Sequence, residues 1–417
     1  MQTQLSEEFI DAAPAREAAA LLRKCVHCGF CNATCPTFQL LGDELDGPRG
    51  RIYLIKQVLE GGDVTRSTQL HLDRCLTCLN CQTTCPSGVE YGRLVEIGRT
   101  LVDARVRRPA LDRAARWLLK EGMTSPLFAP ALRLGQALRA LLPPFIRNKV
   151  PARRPRSAAA SGLKISPART GHHAAKVLVL QGCVQPAMLP NIDRAAARVL
   201  DAAGIEVVYA EGTGCCGALR THLGDHEGGL EDMRRNVDAW YAQVAAGDVQ
   251  AIVSSASACA LAIKDYARAL AHDPQYAAKA ARISSLARDL SELLPQMSTP
   301  LKSRIRAMNT GTLAFHPPCT LQHGQKLRGV VESQLRALGF VIGAAPEDSH
   351  LCCGSAGTYS ILQPTIAVQL RDAKLKALSA TGPSCILSAN VGCILHLQSG
   401  TETPVKHWIE LLDEALT

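Results

Sequence analysis

The 417-residue chain has few aromatic side chains, with Phe, Trp and Tyr together making up 4%. That leaves few stacking platforms for single-stranded nucleic acid, and no groove-reading motif is present, so nucleic acid is not expected as a partner. Long hydrophobic runs are also lacking. The longest mostly apolar stretches, such as Ala251 to Ile263, are broken by serines and fall short of the roughly 20 residues of a membrane-spanning helix. Met1 to Glu8 carries neither a basic nor an apolar leader segment, so a reducing, cytoplasmic setting is expected. No Gly-x-Gly-x-x-Gly follows a predicted strand and no Walker loop occurs. No Ser/His/Asp or paired-carboxylate arrangement stands out, so no independent substrate site is expected. Acidic residues are scarce in one place. Between Arg105 and Arg156, 13 Lys and Arg face only Asp112 and Glu121, so this segment carries +11 while the whole chain carries +9.

Cysteine, by contrast, is abundant, with 17 residues. Cys25-x2-Cys28-x2-Cys31-x3-Cys35-Pro36 recurs fifty residues later as Cys75-x2-Cys78-x2-Cys81-x3-Cys85-Pro86. This spacing holds [4Fe-4S] cubanes in bacterial-type ferredoxins, where the cysteine before proline ligates the other cluster. Cys25, Cys28, Cys31 and Cys85 are therefore assigned to one cluster, and Cys75, Cys78, Cys81 and Cys35 to the second. A zinc module is the alternative, but tetrahedral zinc has no use for the strict triple. Clusters of this kind handle single electrons, so a two-electron organic oxidation needs a flavin or similar cofactor as partner. His27, between two ligands, reads as a surface turn residue or a tuner of its cluster.

The second half contains another duplication. Cys183, Cys215-Cys216 and Cys259 recur as Cys319, Cys352-Cys353 and Cys393, at offsets of 136, 137 and 134, too constant for chance. Strands are expected at 176–181, 205–209 and 251–254, and in the second copy at 312–315, 340–342 and 385–388, alternating with helices such as 191–203. That order implies parallel βαβ units, with all eight cysteines converging at the C-terminal strand edge, where ligands bind in such sheets. These eight could hold a further cluster or a thiol/disulfide pair, and are equally compatible with buried packing. Cys385 falls within a strand and reads as core. The expected fold is α+β overall. A helical two-cluster ferredoxin module (1–104) and a basic, Pro-rich linker (105–173) precede two α/β parallel-sheet cysteine-rich domains (174–300 and 301–417).

Gly214-Cys-Cys-Gly-Ala218 and His350-Leu-Cys-Cys-Gly354 resemble the "CCG" cysteine-rich family of heterodisulfide reductases and of iron-sulfur subunits of flavin-dependent dehydrogenases. That family ends each copy in Cys-x-x-Cys, whereas Ala256 and Asn390 stand where Cys259 and Cys393 would have partners. With His316-Pro-Pro-Cys-Thr-Leu-Gln-His323, Ala389-Asn-Val-Gly-Cys393 and Pro404-Val-Lys-His-Trp-Ile409, the whole chain resembles the glycolate oxidase iron-sulfur subunit family. The resemblance implies an electron-transfer subunit that relays electrons from FAD on partner subunits to a membrane acceptor of quinone type. By the same likeness it implies a peripheral position on the inner face of the cell membrane. A thiol/disulfide reductase, or an iron-sulfur subunit for lactate or glycerol 3-phosphate, are the alternatives. His316, His323, His350 and His407 lie in the matching segments as candidate proton or cluster partners. The segment 105–156 reads as a docking surface for lipid or protein, since basic and apolar residues alternate there at helical spacing.

Overall fold

The computed structural model describes residues 1–141, 173, 175–306, 308–344 and 347–416. Arg147, Lys149, Arg153, Arg154 and Arg156 of the basic stretch lie outside them. The described fold divides into two units. One comprises Met1–Ala115, Pro317–Lys326 and Pro346–Ala377; the other comprises Arg116–His316, Leu327–Ala345 and Leu378–Thr417.

In the first unit, helices Ala13–Arg23 and Pro48–Leu59 each carry proline in their first turn, where its missing N–H is not needed. Their apolar faces meet that of helix Tyr91–Arg105 in one core containing Leu22, Ile55, Leu59, Leu94 and Val95. Cys25, Cys75 and Cys81 border the same core. The two later segments dock onto the second cysteine run. Leu76 packs with Cys319, Cys352, Tyr359 and Ile366, and the Tyr359 hydroxyl donates to Arg74 O at 3.1 Å. Asn80 Nδ2 donates to His350 O at 3.2 Å.

Among the described residues, the second unit contains seven strands: β1 Ala175–Val179, β2 Ile205–Val208, β3 Ala251–Ser254, β4 Ala287–Asp289, β5 Leu313–His316, β6 Cys385–Ser388 and β7 Val405–His407. They form two sheets of order β2-β1-β3-β4 and β5-β6-β7, parallel throughout. The strand expected at 340–342 is reduced to a single bridge between Leu313 and Ile342. There the chain leaves the left-handed turn at Gly339, and only Val341 O and the Gly343 N–H meet Leu313. Two three-residue strands, β4 and β7, were not expected. Each runs into a helix that opens with a capping box, Asp289 with Glu292 and His407 with Glu410, so the duplication extends to its last element.

The two copies join within this unit. Helix Pro190–Ala202 packs on helix Trp408–Ala415, with Arg198 paired to Asp413. The Ser257 N–H donates to Ala389 O at 3.0 Å, beside the positions where the family cysteines are replaced. His407 is fully buried. Its Nδ1 accepts from the Ile409 N–H at 3.1 Å, which leaves Nε2 to donate to Ser255 O at 2.9 Å.

Between the cysteine runs and β1 lie helices Ala110–Thr124 and Phe128–Ala137, followed by a 3-10 turn at Arg139–Leu141. The second of these helices tightens into that turn. Neither helix buries a residue, and Leu111, Trp117, Leu118, Leu127 and Leu134 are exposed. Part of the positive charge is already matched. Arg108 pairs with Asp73, Asp103 and Asp112, Arg105 with Glu8, and Lys120 with Asp225. Among the described residues, no helix is long and apolar enough to cross a membrane.

Burial holds the His407 imidazole neutral by lowering its pKa to about 4, against the pull of Ser255 O. Because the folded value lies below the unfolded one, this contribution to stability is complete above about pH 6.5 and disappears as pH falls toward 4. Replacing His407→Gln should remove about 3 kcal/mol of the acid-side loss of stability. Denaturation midpoints of both proteins measured at pH 7.5 and pH 5 check this, and parallel pH dependences would contradict it.

Candidate metal centres

Both ferredoxin-like runs take the same local shape. Left-handed backbone occurs at His27 and Gly29 in the first run and at Thr77 and Leu79 in the second. It aims the His27 N–H at Cys25 Sγ and the Thr77 N–H at Cys75 Sγ, each at 3.4 Å. Non-glycine residues in this conformation store strain, and here it turns successive thiols toward one point. His27 is exposed and its ring lies 3.4 Å from Arg49 O.

A cavity in the first unit is lined by Cys25, Cys28, Cys31 and, from the other run, Cys85, with Cys81 also on its wall. Burial, and then the neighbouring Cys25, push the Cys31 thiol up to about 11, with Cys28 and Cys85 acting in the same direction. The complementary set forms around the second run. Cys78 and Cys81 are held well above the usual thiol range by burial first, and both also interact with Cys75 and Cys35. Each triple is thus accompanied by the pre-proline cysteine of the other run. Four sulfurs around one point, with backbone N–H groups donating to them, suit a soft, thiolate-bound cluster.

Beneath the second set lies a buried polar network. Arg51 is 1% exposed. Its Nε donates to His71 O at 2.7 Å, its Nη1 to Thr37 Oγ1 at 3.2 Å and its Nη2 to Asp46 Oδ1 at 3.4 Å. Thr37 Oγ1 lies 3.3 Å from Cys35 Sγ. Burial opposes the thiolate at Cys75, yet the Arg51 and Arg99 guanidiniums, with the Thr77 N–H, bring its pKa below the usual value. Sequence reasoning missed this network. Its only trace is a lone arginine before Ile52, on a face otherwise apolar.

In the first cysteine-rich copy the expected convergence occurs. Cys183 hydrogen-bonds Cys215, Cys215 bonds Cys216, and Cys216 bonds Cys259. At Cys215, hydrogen bonds from Cys183 and Cys216 outweigh burial and hold the pKa well below the usual thiol range, and the Gly217 N–H adds to them. Asp232, raised to about 6 by burial and then by the Cys215 charge, sits against it. A second buried group flanks Cys183, where Gln185 Nε2 bridges Asp193 Oδ1 and Ser255 Oγ at 2.6 Å each. Burial raises Asp193 to about 6.

In the second copy, Cys319 and Cys352 hydrogen-bond each other, and Cys352 bonds Cys353. This trio belongs to the first unit and interacts with Cys78. Buried Lys374, whose ammonium donates to Asp348 O at 2.7 Å, faces all three thiols. Cys393 belongs to the second unit, at the start of helix Val391–Gln398, and its sulfur accepts from Asn390 Nδ2 at 3.6 Å. Cys385 opens β6, half-buried. None of the seventeen cysteines forms a disulfide. His323 is held by Thr83 Oγ1 at 3.2 Å and by His350 O at 2.8 Å, and His316 is buried at the end of β5.

The comparisons agree with this division. A 4Fe-4S dicluster domain matches residues 21–89, and a cysteine-rich domain matches twice, at 177–264 and 313–398. The glycolate oxidase iron-sulfur subunit of Escherichia coli K12 is 51% identical over 417 residues, covering all of this chain and 99% of that protein. The chain belongs to the glycolate oxidase iron-sulfur subunit family. The probable glycolate oxidase iron-sulfur subunit of Bacillus subtilis 168 is 30% identical over 91% of this chain and 89% of its own length. Lactate utilization protein A of Bacillus cytotoxicus is 26% identical over 57% of this chain and 98% of its own. This member of the glycolate oxidase iron-sulfur subunit family therefore combines a helical dicluster region with two parallel-sheet cysteine-rich copies.

The glycine after each cysteine pair is sterically required. Gly217 and Gly354 have φ of +88° and +86°, and a Cβ would stand 2.7 Å from Gly229 O and 2.5 Å from Ala367 O, respectively. Replacing Gly354→Ala should cost about 2–3 kcal/mol through strain and backbone clash. A fall in melting temperature of several degrees tests this, and an unchanged melt would refute it.

Proposed function

We propose that the chain is the electron-relay subunit of a flavin-dependent 2-hydroxy acid oxidoreductase acting on glycolate. In this reading Cys25, Cys28, Cys31 and Cys85 hold one [4Fe-4S] cluster, and Cys75, Cys78, Cys81 and Cys35 hold the other. The observation that carries it is the grouping of each cysteine triple with the pre-proline cysteine of the opposite run. Each cluster, once bound, accepts and passes on one electron at a time. The protein's residues hold the sulfurs inward, supply N–H donors and surround the second set with cations, while FAD and the hydroxy acid stay on partner subunits. Glycolate is preferred over lactate because the likeness to glycolate oxidase subunits runs the full length, whereas that to lactate utilization protein A covers 57% of the chain. The linked thiols Cys183, Cys215, Cys216 and Cys259 are a candidate set for a further cluster. In the second copy, Cys319, Cys352 and Cys353 form a smaller set, and Cys393 completes the duplicated pattern. The absence of the family cysteine at Ala256 and Asn390 speaks against an independent disulfide reductase.

Anaerobic purification should give about eight irons per chain and two interacting cubane signals by EPR. Cys35→Ser should damage the cluster on Cys75, Cys78 and Cys81, and Cys85→Ser the one on Cys25, Cys28 and Cys31. Loss confined to the same run would overturn the crossed assignment. An iron count well above eight would give the cysteine-rich half a metal of its own, and colourless, zinc-filled protein would end the reading.

The exposed Leu111, Trp117 and Leu118 beside Arg113 support a peripheral position on an anionic membrane face, from which electrons pass to a quinone-type acceptor. Sedimentation with phosphatidylcholine vesicles should be weak, and should strengthen at least tenfold when phosphatidylglycerol is added, since each nearby cation contributes about 1 kcal/mol. The double variant Trp117→Glu with Leu118→Glu should lose that gain. Equal binding of both proteins would assign the surface to a protein partner instead.

A further inference from the structure

The geometry points to Arg51 as the residue that sets the reduction potential of the cluster held by Cys75, Cys78, Cys81 and Cys35. This rests on the two-cluster reading proposed above. Asp46 is fully buried and accepts from Arg51, from His71 at 3.0 Å and from Arg74 at 2.8 Å. Arg99 adds a third guanidinium, donating to Leu72 O at 2.8 Å and to Cys75 O at 2.5 Å. Two guanidiniums thus share one carboxylate in and beside a closed core, and the third meets only carbonyls. Burying cations in such excess is costly unless a further anion lies nearby.

The thiolates of the second set are that anion. Arg51 interacts electrostatically with Cys75 and Cys35, and the Thr37 hydroxyl, which accepts from its Nη1 and donates to Asp46 O at 2.7 Å, lies 3.3 Å from Cys35 Sγ. Adding an electron to a tetrathiolate cluster deepens its negative charge, and a fixed cation in a low-dielectric surround opposes that cost. Arg51 is the buried member of the trio, since Arg74 and Arg99 are partly exposed, and so is the least screened. The cations beside the first set differ in kind. Arg49 is half-exposed and matched by Glu44 at 2.5 Å, and the terminal ammonium, itself partly exposed, donates to Cys25 O. Arg51 is therefore expected to act on one cluster only.

The test is an EPR-monitored redox titration of the full chain, purified anaerobically, with each signal assigned through Cys28→Ser and Cys78→Ser. Arg51→Gln should lower the reduced-to-oxidised ratio of the Cys78-dependent signal about tenfold at a fixed poise, which is about 59 mV for a one-electron couple. The Cys28-dependent signal should stay in place, and Arg51→Lys should restore most of the shift. If Arg51→Gln loses iron, Arg99→Gln should move the same signal in the same direction by a smaller amount. A variant that keeps about eight irons but leaves both midpoints unmoved, or moves them together, overturns the proposal and leaves Arg51 a purely structural residue. Failure of the two-cluster reading would show separately, as wild-type protein with too little iron.

Discussion

A buried sulfur anion is hard to accommodate, because removing a thiolate from water costs free energy that only nearby donors or cations offset. Much of this chain is arranged around that constraint. In the ferredoxin-like runs the offset comes from backbone: left-handed residues after Cys25 and Cys75 bring N–H groups onto sulfur. In the first cysteine-rich copy it comes from other thiols, whose hydrogen bonds lower the pKa of Cys215 while raising those of Cys183 and Cys216. Under the second run it comes from guanidinium, held by Asp46, Thr37 and the His71 carbonyl.

Cysteine spacing made much of this legible, because metal ligation and turn geometry are both local in sequence. β3 and β6 lie where alternating helices and apolar runs put them, and β1, β2 and β5 are displaced by only a residue or two. β4 and β7 were missed because three residues carry no periodicity, although Asp289 with Glu292 is a readable helix start. The Arg51 network was hidden for a different reason. Its members, at 37, 46, 51 and 71, come from four separate elements and share no spacing rule.

Charge shows the same limit of linear reading. The excess of cations after Arg105 looks uniform in sequence, but Arg108 is largely buried among three carboxylates and Lys120 is tied to Asp225. Arg108 thereby fixes the start of helix Ala110–Thr124, and that helix then leaves Leu111, Trp117 and Leu118 without cover. Anchoring by one arginine and exposure of an apolar face are thus parts of one arrangement.

The first unit is assembled from Met1–Ala115 and from segments that end at Ala377. A ribosome moving at about 5–20 residues per second releases the helices around the two cysteine runs on the order of tens of seconds before the partners of Leu76 and Asn80 emerge. During that interval the second run lacks those partners, and its burial is completed only after the chain has grown past Ile366, which packs with Leu76.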